Sequence, residues 1–318
     1  VAEVAQRAAR VAEKVLTWPD ICDRYIQHIQ KGKGKAATKH EATVRARYLR
    51  SSPILCGCPT AQHDEMLVLE WLRAMSGEPV RGGSPRAPKT VRNVCKVLRE
   101  IYRYARSARA YPQSSLPTDG YLYERELKGI MATDEQQEVM CPVESVMAVI
   151  ACKVVSQLDR TLIHVAALTG MRPGELYGLR FQDIQEDRGV LVFSLREQLA
   201  LRRGKQKSQL TLVKTRWSIR LIPVHPELLP VIEAWRSRGL EGHVGRAPRA
   251  EDFLFPDPKG KPHREDRADG FREVLASAGA PTTYEGHPLG LGKVRKTFVT
   301  MAMQAGVDPR VRRKLMGH

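Results

Sequence analysis

No apolar run in this 318-residue chain is long enough to cross a bilayer, and its start lacks the segment order of a secretory leader. Cysteines are few and unpatterned: Cys22, Cys56, Cys58, Cys95, Cys141 and Cys152. Only Cys56-Gly57-Cys58 is closely spaced, with His63 nearby, and the second close ligand pair that a zinc site usually needs is missing. The cysteines therefore read as free cytosolic thiols, and no metal site is expected. Carboxylates do not cluster in the way that would hold the ions of a two-metal route. Internal repeats and long low-complexity tracts are absent. The first residue is Val1 rather than Met, so the ends of this chain are weak guides to the ends of the gene product.

Acidic residues are also in deficit, with 35 Asp and Glu against 52 Lys and Arg and a net charge of +17. Such an excess implies either a polyanionic partner or a basic tail. Here the cations are spread over several predicted helices, which points to a docking surface for nucleic acid. The length is sufficient for a sizeable core and divides most naturally into two domains.

Residues 1–17 are rich in Ala and Val and read as an N-terminal helix or connector. A helical region runs from Trp18 to about residue 110. Thr38 and Glu41 have capping-box spacing and predict a helix start near Thr38. Another helix is predicted from about Asp64 to Met75, before a break at Gly82-Gly83-Ser84-Pro85. The helix from about Lys89 to Arg106 is the most informative of this half. Val91, Val94, Leu98, Ile101 and Ala105 form one apolar stripe. Arg92, Lys96, Arg99, Arg103 and Arg106 recur at the same spacing on the other side. Stacked like charges cost about 0.2–0.5 kcal/mol per pair. A cationic ridge makes physical sense along a phosphate backbone, and only Glu100 flanks it. Residues 111–142 carry a weaker pattern and read as an interdomain linker, with a short helix near Glu124 to Ile130.

Residues 143–318 resume with helices at about Glu144 to Val155 and Asp159 to Thr169. Short strands are predicted at Val190–Phe193, Leu210–Val213 and Ile219–Ile222. Helices return at about Pro226 to Arg236, Ala268 to Ser277 and Lys293 to Gln304. The fold class is thus mainly α (α+β), with a small antiparallel sheet inserted in the second domain.

The sharpest segment is Ala167-Leu-Thr-Gly-Met-Arg172-Pro-Gly-Glu175-Leu-Tyr-Gly-Leu179. Gly170 can cap one helix in the left-handed conformation, and Pro173 suits the first position of the next. Arg172 is then fixed at a tight turn, where its guanidinium can fork two phosphate oxygens. On these residues alone, an arginine paired structurally with Glu175 or Asp183 is an equally good reading.

This segment closely resembles the motif around the first catalytic arginine of the tyrosine recombinases of the phage-integrase kind. Further segments follow in that family's order. Lys214-Thr-Arg-Trp-Ser-Ile-Arg220-Leu-Ile-Pro223 resembles its β-hairpin, whose lysine protonates the departing hydroxyl, a role that falls on Lys214. Gly292-Lys-Val-Arg295-Lys-Thr-Phe298 resembles the box of the second arginine, which makes Arg295 its counterpart. Ala305 to His318 looks like the next box, ending in its histidine. The resemblance implies a helical core-binding domain followed by a mixed α/β catalytic domain.

It also implies cleavage and rejoining of double-stranded DNA through a covalent 3′-phosphotyrosyl link, with no metal, ATP or other cofactor. Arg172 and Arg295 would hold the non-bridging oxygens, His318 would add a hydrogen bond, and Lys214 would act as general acid. Lys89, Arg92, Lys96, Arg99, Arg103, Arg106, Lys293 and Lys296 are the expected DNA-binding cations. A homo-tetramer on two duplexes, a bacterial or phage origin and a cytoplasmic setting without membrane attachment complete the expectation.

Two departures stand out. A histidine usually lies three residues before the second arginine, where this chain has Gly292; Lys293 and Lys296 offer replacement donors, and His287 is off that helical face. The nucleophilic tyrosine is expected beyond His318, since Tyr177 and Tyr284 lie on the wrong side of these boxes. The rival expectations are a non-enzymatic DNA-binding protein on the same fold and a metal-dependent nuclease.

Overall fold

The computed structural model describes residues 16–34, 36–79, 85–113, 115–132, 139–200, 208–213, 218–262 and 268–317. Residues 1–15 of the expected helix or connector at 1–17, Gly82, Gly83 and Ser84 of the expected break, and both Lys214 and His318 lie outside the described residues. The chain separates into two compact units, Val1–Gln136 and Gln137–His318.

The first unit contains helices α1 (Trp18–Lys31), α2 (Ala36–Arg50), α3 (Pro53–Cys56), α4 (Glu65–Gly77), α5 (Pro88–Ser107) and α6 (Tyr121–Ala132). Thr17 and Asp20 start α1 with a reciprocal capping box, and Asp64 caps α4 through Leu67 N–H at 2.8 Å. The capping box expected of Thr38 and Glu41 does not form. Both residues lie inside α2, and Glu41 instead accepts from Arg45 one turn on, at 3.2 Å.

The apolar stripe of α5 is buried as its spacing predicts: Val91, Val94, Leu98, Ile101 and Ala105 join Trp18, Leu49 and Leu72 in one core. Several polar groups in that core are paired, while the buried Tyr123 hydroxyl has no hydrogen-bond partner among the described residues. The Trp18 indole donates to Leu49 O at 2.9 Å, Tyr102 Oη lies 2.7 Å from His63 Nδ1, and Tyr111 Oη donates to His63 O at 2.9 Å. The stretch read as linker enters this core. Tyr111, Leu116 and Tyr123 are buried, and Glu65 on α4 accepts from Tyr123 N–H at 3.0 Å. Its pattern is weak because α6 buries little beyond Tyr123.

Lys89, Arg92, Lys96, Arg103 and Arg106 are exposed along α5. Arg99 leaves the ridge. Its guanidinium bonds Glu124 and, at 3.0 Å, Thr118 O, with Asp119 3.5 Å away. Glu100, the acidic flank, is engaged by the Tyr25 hydroxyl at 2.8 Å.

The second unit places helices α7 (Val143–Ala151), α8 (Gln157–Thr169) and α9 (Pro173–Gly178) before the strands β1 (Ile184–Asp187), β2 (Val190–Leu195), β3 (Glu197–Ala200), β4 (Gln209–Leu212) and β5 (Arg220–Pro223). The strands form an antiparallel sheet ordered β1-β2-β5 and a separate β3-β4 pair. Then come α10 (Leu228–Ala234), α11 (Leu240–Val244), α12 (Ala268–Ser277), the two-residue strands β6 (Thr283–Tyr284) and β7 (His287–Pro288), α13 (Leu291–Gln304) and α14 (Pro309–Met316). The fold is mainly helical with small antiparallel sheets. Phe193, Ile222, Trp235, Phe255, Leu289 and Val294 lie in its core, into which β2 and β5 deliver Phe193 opposite Ile222. No described helix is long and apolar enough to cross a membrane.

α8 packs on α13, and the junction requires a residue without Cβ. Gly170, capping α8, has φ 61°, and a Cβ there would stand 2.4 Å from the Phe298 ring. Gly170→Ala is expected to cost about 2–4 kcal/mol, from the left-handed backbone and the overpacked ring together. Urea unfolding checks this, and a cost under about 0.5 kcal/mol would show that the junction yields freely.

Candidate active site

The left-handed turn at Gly170 ends α8, and Pro173 opens α9 directly after Arg172, leaving Arg172 as the N-cap. At a helix start the backbone N–H groups lack partners within the helix. Arg172 N–H donates to Glu175 Oε2 at 2.8 Å, while Arg172 Nη1 donates to Glu175 Oε1 at 2.9 Å. The alternative partner Asp183 is occupied elsewhere, accepting from Arg180 N–H at 2.8 Å. The structural and functional readings of Arg172 are compatible: the side chain is held by Glu175 yet remains 36% exposed.

Glu175 is itself only 1% exposed, and it is the centre of the cluster. Arg220 bonds it with both terminal nitrogens, Nη1 to Oε1 at 3.0 Å and Nη2 to Oε2 at 2.8 Å. This is the bidentate geometry that a planar guanidinium and a carboxylate share. Arg295 Nη1 lies 3.9 Å from Glu175 Oε2. Arg295 is further fixed by backbone carbonyls, with Nη1 donating to Gly170 O at 2.6 Å and Nη2 to Met316 O. Arg172 and Arg295, far apart in sequence, therefore meet around one carboxylate.

The electrostatics follow from burial. Burial pushes the Glu175 carboxyl up, but the hydrogen bonds and charge of Arg220, with bonds from Arg172, outweigh it and leave it below its ordinary value. Burial, reinforced by the Arg172 and Arg220 charges against the opposing pull of Glu175, lowers Arg295 to about 10. Arg295 is still a cation near neutrality. Among the described residues, three guanidiniums face this one carboxylate, an excess of positive charge. A partly open site with that surplus favours a bound anion, and fixed donors of this kind stabilise developing negative charge without reorganising.

The other sequence-predicted residues fall in several places. Lys214 and His318 are outside the described residues, but their neighbours reach the cluster: Ser218 O accepts from Arg220 Nη1 at 3.0 Å, and Leu315 O accepts from Arg220 Nε at 2.6 Å. Gly292 sits exposed in the first turn of α13, and a Cβ there would meet open space. Lys293 and Lys296 are half-buried on the same helix. Tyr177 is buried in the core, while Tyr284 is on β6 and His287 on β7. Cys56 and Cys58 are free thiols, and among the described residues no group of three His, Cys, Asp or Glu could hold a metal ion. Sequence reasoning missed Arg220 and treated Glu175 only as a partner of Arg172. The available signal was alternation along β5, which turns Arg220 inward beside Ile222.

A mainly helical protein whose second unit gathers arginines from α9, β5 and α13 about a buried carboxylate is the class that the fold and site define. This chain belongs to the phage integrase family, whose sequence profile matches residues 121–318. Among curated relatives, the tyrosine recombinase XerC of Oceanobacillus iheyensis is 25% identical over 209 residues, covering 65% of this chain and 55% of the relative. The putative defective protein IntQ of Escherichia coli K12 is 30% identical over 123 residues, or 38% of this chain and 28% of that protein. The chain thus spans about half the length, or less, of the curated relatives it matches. The Tn1549 transposon integrase, solved with transposon right end DNA, superposes with TM-score 0.74 at 23% identity, covering 95% of this chain and 92% of that one. A lambda integrase tetramer bound to a Holliday junction gives TM-score 0.65 at 13% identity, over 98% and 77% of the two chains.

The lowered Glu175 pKa carries a sign. Its contribution is fully present above the ordinary carboxylate value of 4.5 and is lost as pH falls through the depressed folded value. Glu175→Gln, which strands buried Arg220, is expected to cost about 3–5 kcal/mol at neutral pH. The gap to wild type should narrow below about pH 4.5. Urea unfolding across pH tests this, and a gap that stays constant into acid would remove the assignment.

Proposed function

We propose that this protein is a site-specific DNA recombinase of the integrase type, which cleaves and rejoins duplex DNA through a covalent 3′-phosphotyrosyl intermediate. The observation that carries the reading is the meeting of Arg172 and Arg295 around Glu175, with a surplus of positive charge beside an exposed turn. Family membership supports it.

In this reading Arg172 and Arg295 hold the non-bridging oxygens of the scissile phosphate and stabilise the charge that builds on them. Lys214 gives a proton to the leaving 5′-oxygen, and His318 adds a hydrogen bond. A tyrosine following His318 attacks phosphorus, and the 3′-phosphate becomes bonded to it as the 5′-oxygen departs. The covalent link conserves the energy of the broken bond, so the reverse attack by a 5′-hydroxyl reseals the strand without ATP. The anchoring of Ser218 and Leu315 to Arg220 supports placing the neighbouring Lys214 and His318 at this site.

The first unit serves as the core DNA-binding domain, through Lys89, Arg92, Lys96, Arg103 and Arg106 on α5, with residues 143–318 as the catalytic domain. Lys293 and Lys296 add contacts from α13. A homo-tetramer on two duplexes is part of the proposal, supported by the tetrameric lambda integrase of the same fold. So is a cytoplasmic setting in a bacterial or phage system, supported by the bacterial relatives. Gly292 favours one second reading, a DNA-binding relative without catalysis, and the partial match to IntQ, named as defective, points the same way.

The deciding experiment incubates the full-length protein with nicked duplexes drawn from both flanks of its gene and looks for an adduct that survives detergent. The recombinase reading expects an adduct insensitive to EDTA and lost in Arg172→Ala and Arg295→Ala. Stable binding to a duplex without any adduct would leave the second reading. A log–log salt titration of duplex affinity is expected to be steep, at about −0.9 per phosphate contact. Lys96→Ala and Arg103→Ala should each reduce that slope by about one, and Arg99→Ala should leave it unchanged. A flat titration would remove the α5 surface from the account.

A further inference from the structure

Arg220 is the one arginine of the cluster whose side chain is almost wholly enclosed, at 4% exposure. Little of its surface is left to meet a substrate, yet its bonds join three separate parts of the chain. Both terminal nitrogens engage Glu175 on α9, at 3.0 and 2.8 Å. Nη1 also donates to Ser218 O, at the edge of the segment that holds Lys214. Nε donates at 2.6 Å to Leu315 O, in the last turn of α14.

The next residues show why this bond matters. Met316 O, one peptide further on, accepts from Arg295 Nη2. Gly317 then turns with φ 68° directly over the Arg220 guanidinium, so close that a Cβ would lie 2.9 Å from Nη1. One buried guanidinium thus sets the carboxylate that orients Arg172 and, through Leu315, the carbonyl that orients Arg295. A core chosen for stability alone has no need of it: a buried ion pair is often replaced by apolar residues at no loss. Its distinctive property is fixed geometry, with five donors in one plane.

We propose that Arg220 is a positioning residue for the phosphate-binding pair. It locks the end of α14 to Glu175, so that Arg172 and Arg295 face one anion together. The proposal deepens the reading of Arg172 and Arg295 as a phosphate site and rests on it. Seating of the α14 end and binding of an anion are then linked, and the linkage is reciprocal: whatever tightens one tightens the other.

The test uses the full chain with inorganic phosphate as probe, and hydrogen exchange of the 309–317 amides as the second readout. In wild type, saturating phosphate is expected to slow exchange in 309–317. In Arg220→Lys, which keeps the charge but not the fork, phosphate affinity should fall at least tenfold. Exchange in 309–317 should rise without phosphate and no longer respond to it, while exchange in α8 stays unchanged. Gly317→Ala supplies a second variant: it changes neither Glu175 nor Arg220, but its Cβ crowds Arg220 Nη1, sets the α14 end against the guanidinium and should weaken phosphate in the same direction. Wild-type phosphate affinity and exchange in a folded Arg220→Lys would overturn the proposal, as would loss of phosphate in that variant with 309–317 still protected. If wild type takes up no phosphate, the underlying phosphate-site reading fails instead. Exchange alone then decides the tether, and an unchanged 309–317 segment in Arg220→Lys refutes it.

Discussion

A single buried carboxylate constrains how the second unit can be built. Glu175 cannot sit at 1% exposure without partners, because an ionised group taken from water costs several kcal/mol until it is paired and hydrogen-bonded. Its partners arrive from the N-cap of its own helix, from β5 and from α13. Each brings its element with it. The turn after Gly170, the inward face of β5 and the start of α13 are held to one another by the requirement that this charge be answered. The same requirement over-answers it, and the excess positive charge would favour an anion there.

Control of helix ends does most of the remaining work around the cluster. Gly170 and Gly317 both adopt left-handed turns, at φ 61° and 68°, and both expose carbonyls or backbone to the arginines. A helix that ends in this way leaves its last carbonyls free of intrahelical partners. Arg295 takes one such carbonyl from each side, Gly170 O from the end of α8 and Met316 O from the end of α14. Two helices thereby terminate on one side chain.

Legibility in the sequence followed range. Gly170, Arg172 and Pro173 form a local signal, since a cap, a turn and a helix start lie within a few residues, and the turn they predict is present. The α5 stripe, also local, was read residue by residue. The Glu175–Arg220 pair spans 45 residues, and nothing at either position announces the other. Arg99 shows the same limit. Periodicity placed it on the cationic face, but Glu124 on a different helix claimed its guanidinium. The stretch after residue 110 read as a connector because α6 buries mainly Tyr123, too little to give a periodic pattern. Thr38 and Glu41 had the right spacing for a cap but lie within a helix that starts earlier, at Ala36.

The withdrawal of Arg99 gives α5 a rhythm. Lys89, Lys96 and Arg103 stand seven residues apart, which at 1.5 Å per residue is about 10.5 Å along the axis. Duplex DNA advances about 3.4 Å per step of each strand, so that interval is close to three base steps. With Arg99 turned inward, Lys89, Arg92 and Lys96 are parted from Arg103 and Arg106, so the row is interrupted rather than unbroken. Against a duplex, a row of that spacing can stay in step with the backbone over two intervals before pitch and curvature part them. In the proposed DNA-binding role of α5, such a row would measure out a short length of DNA without consulting a single base.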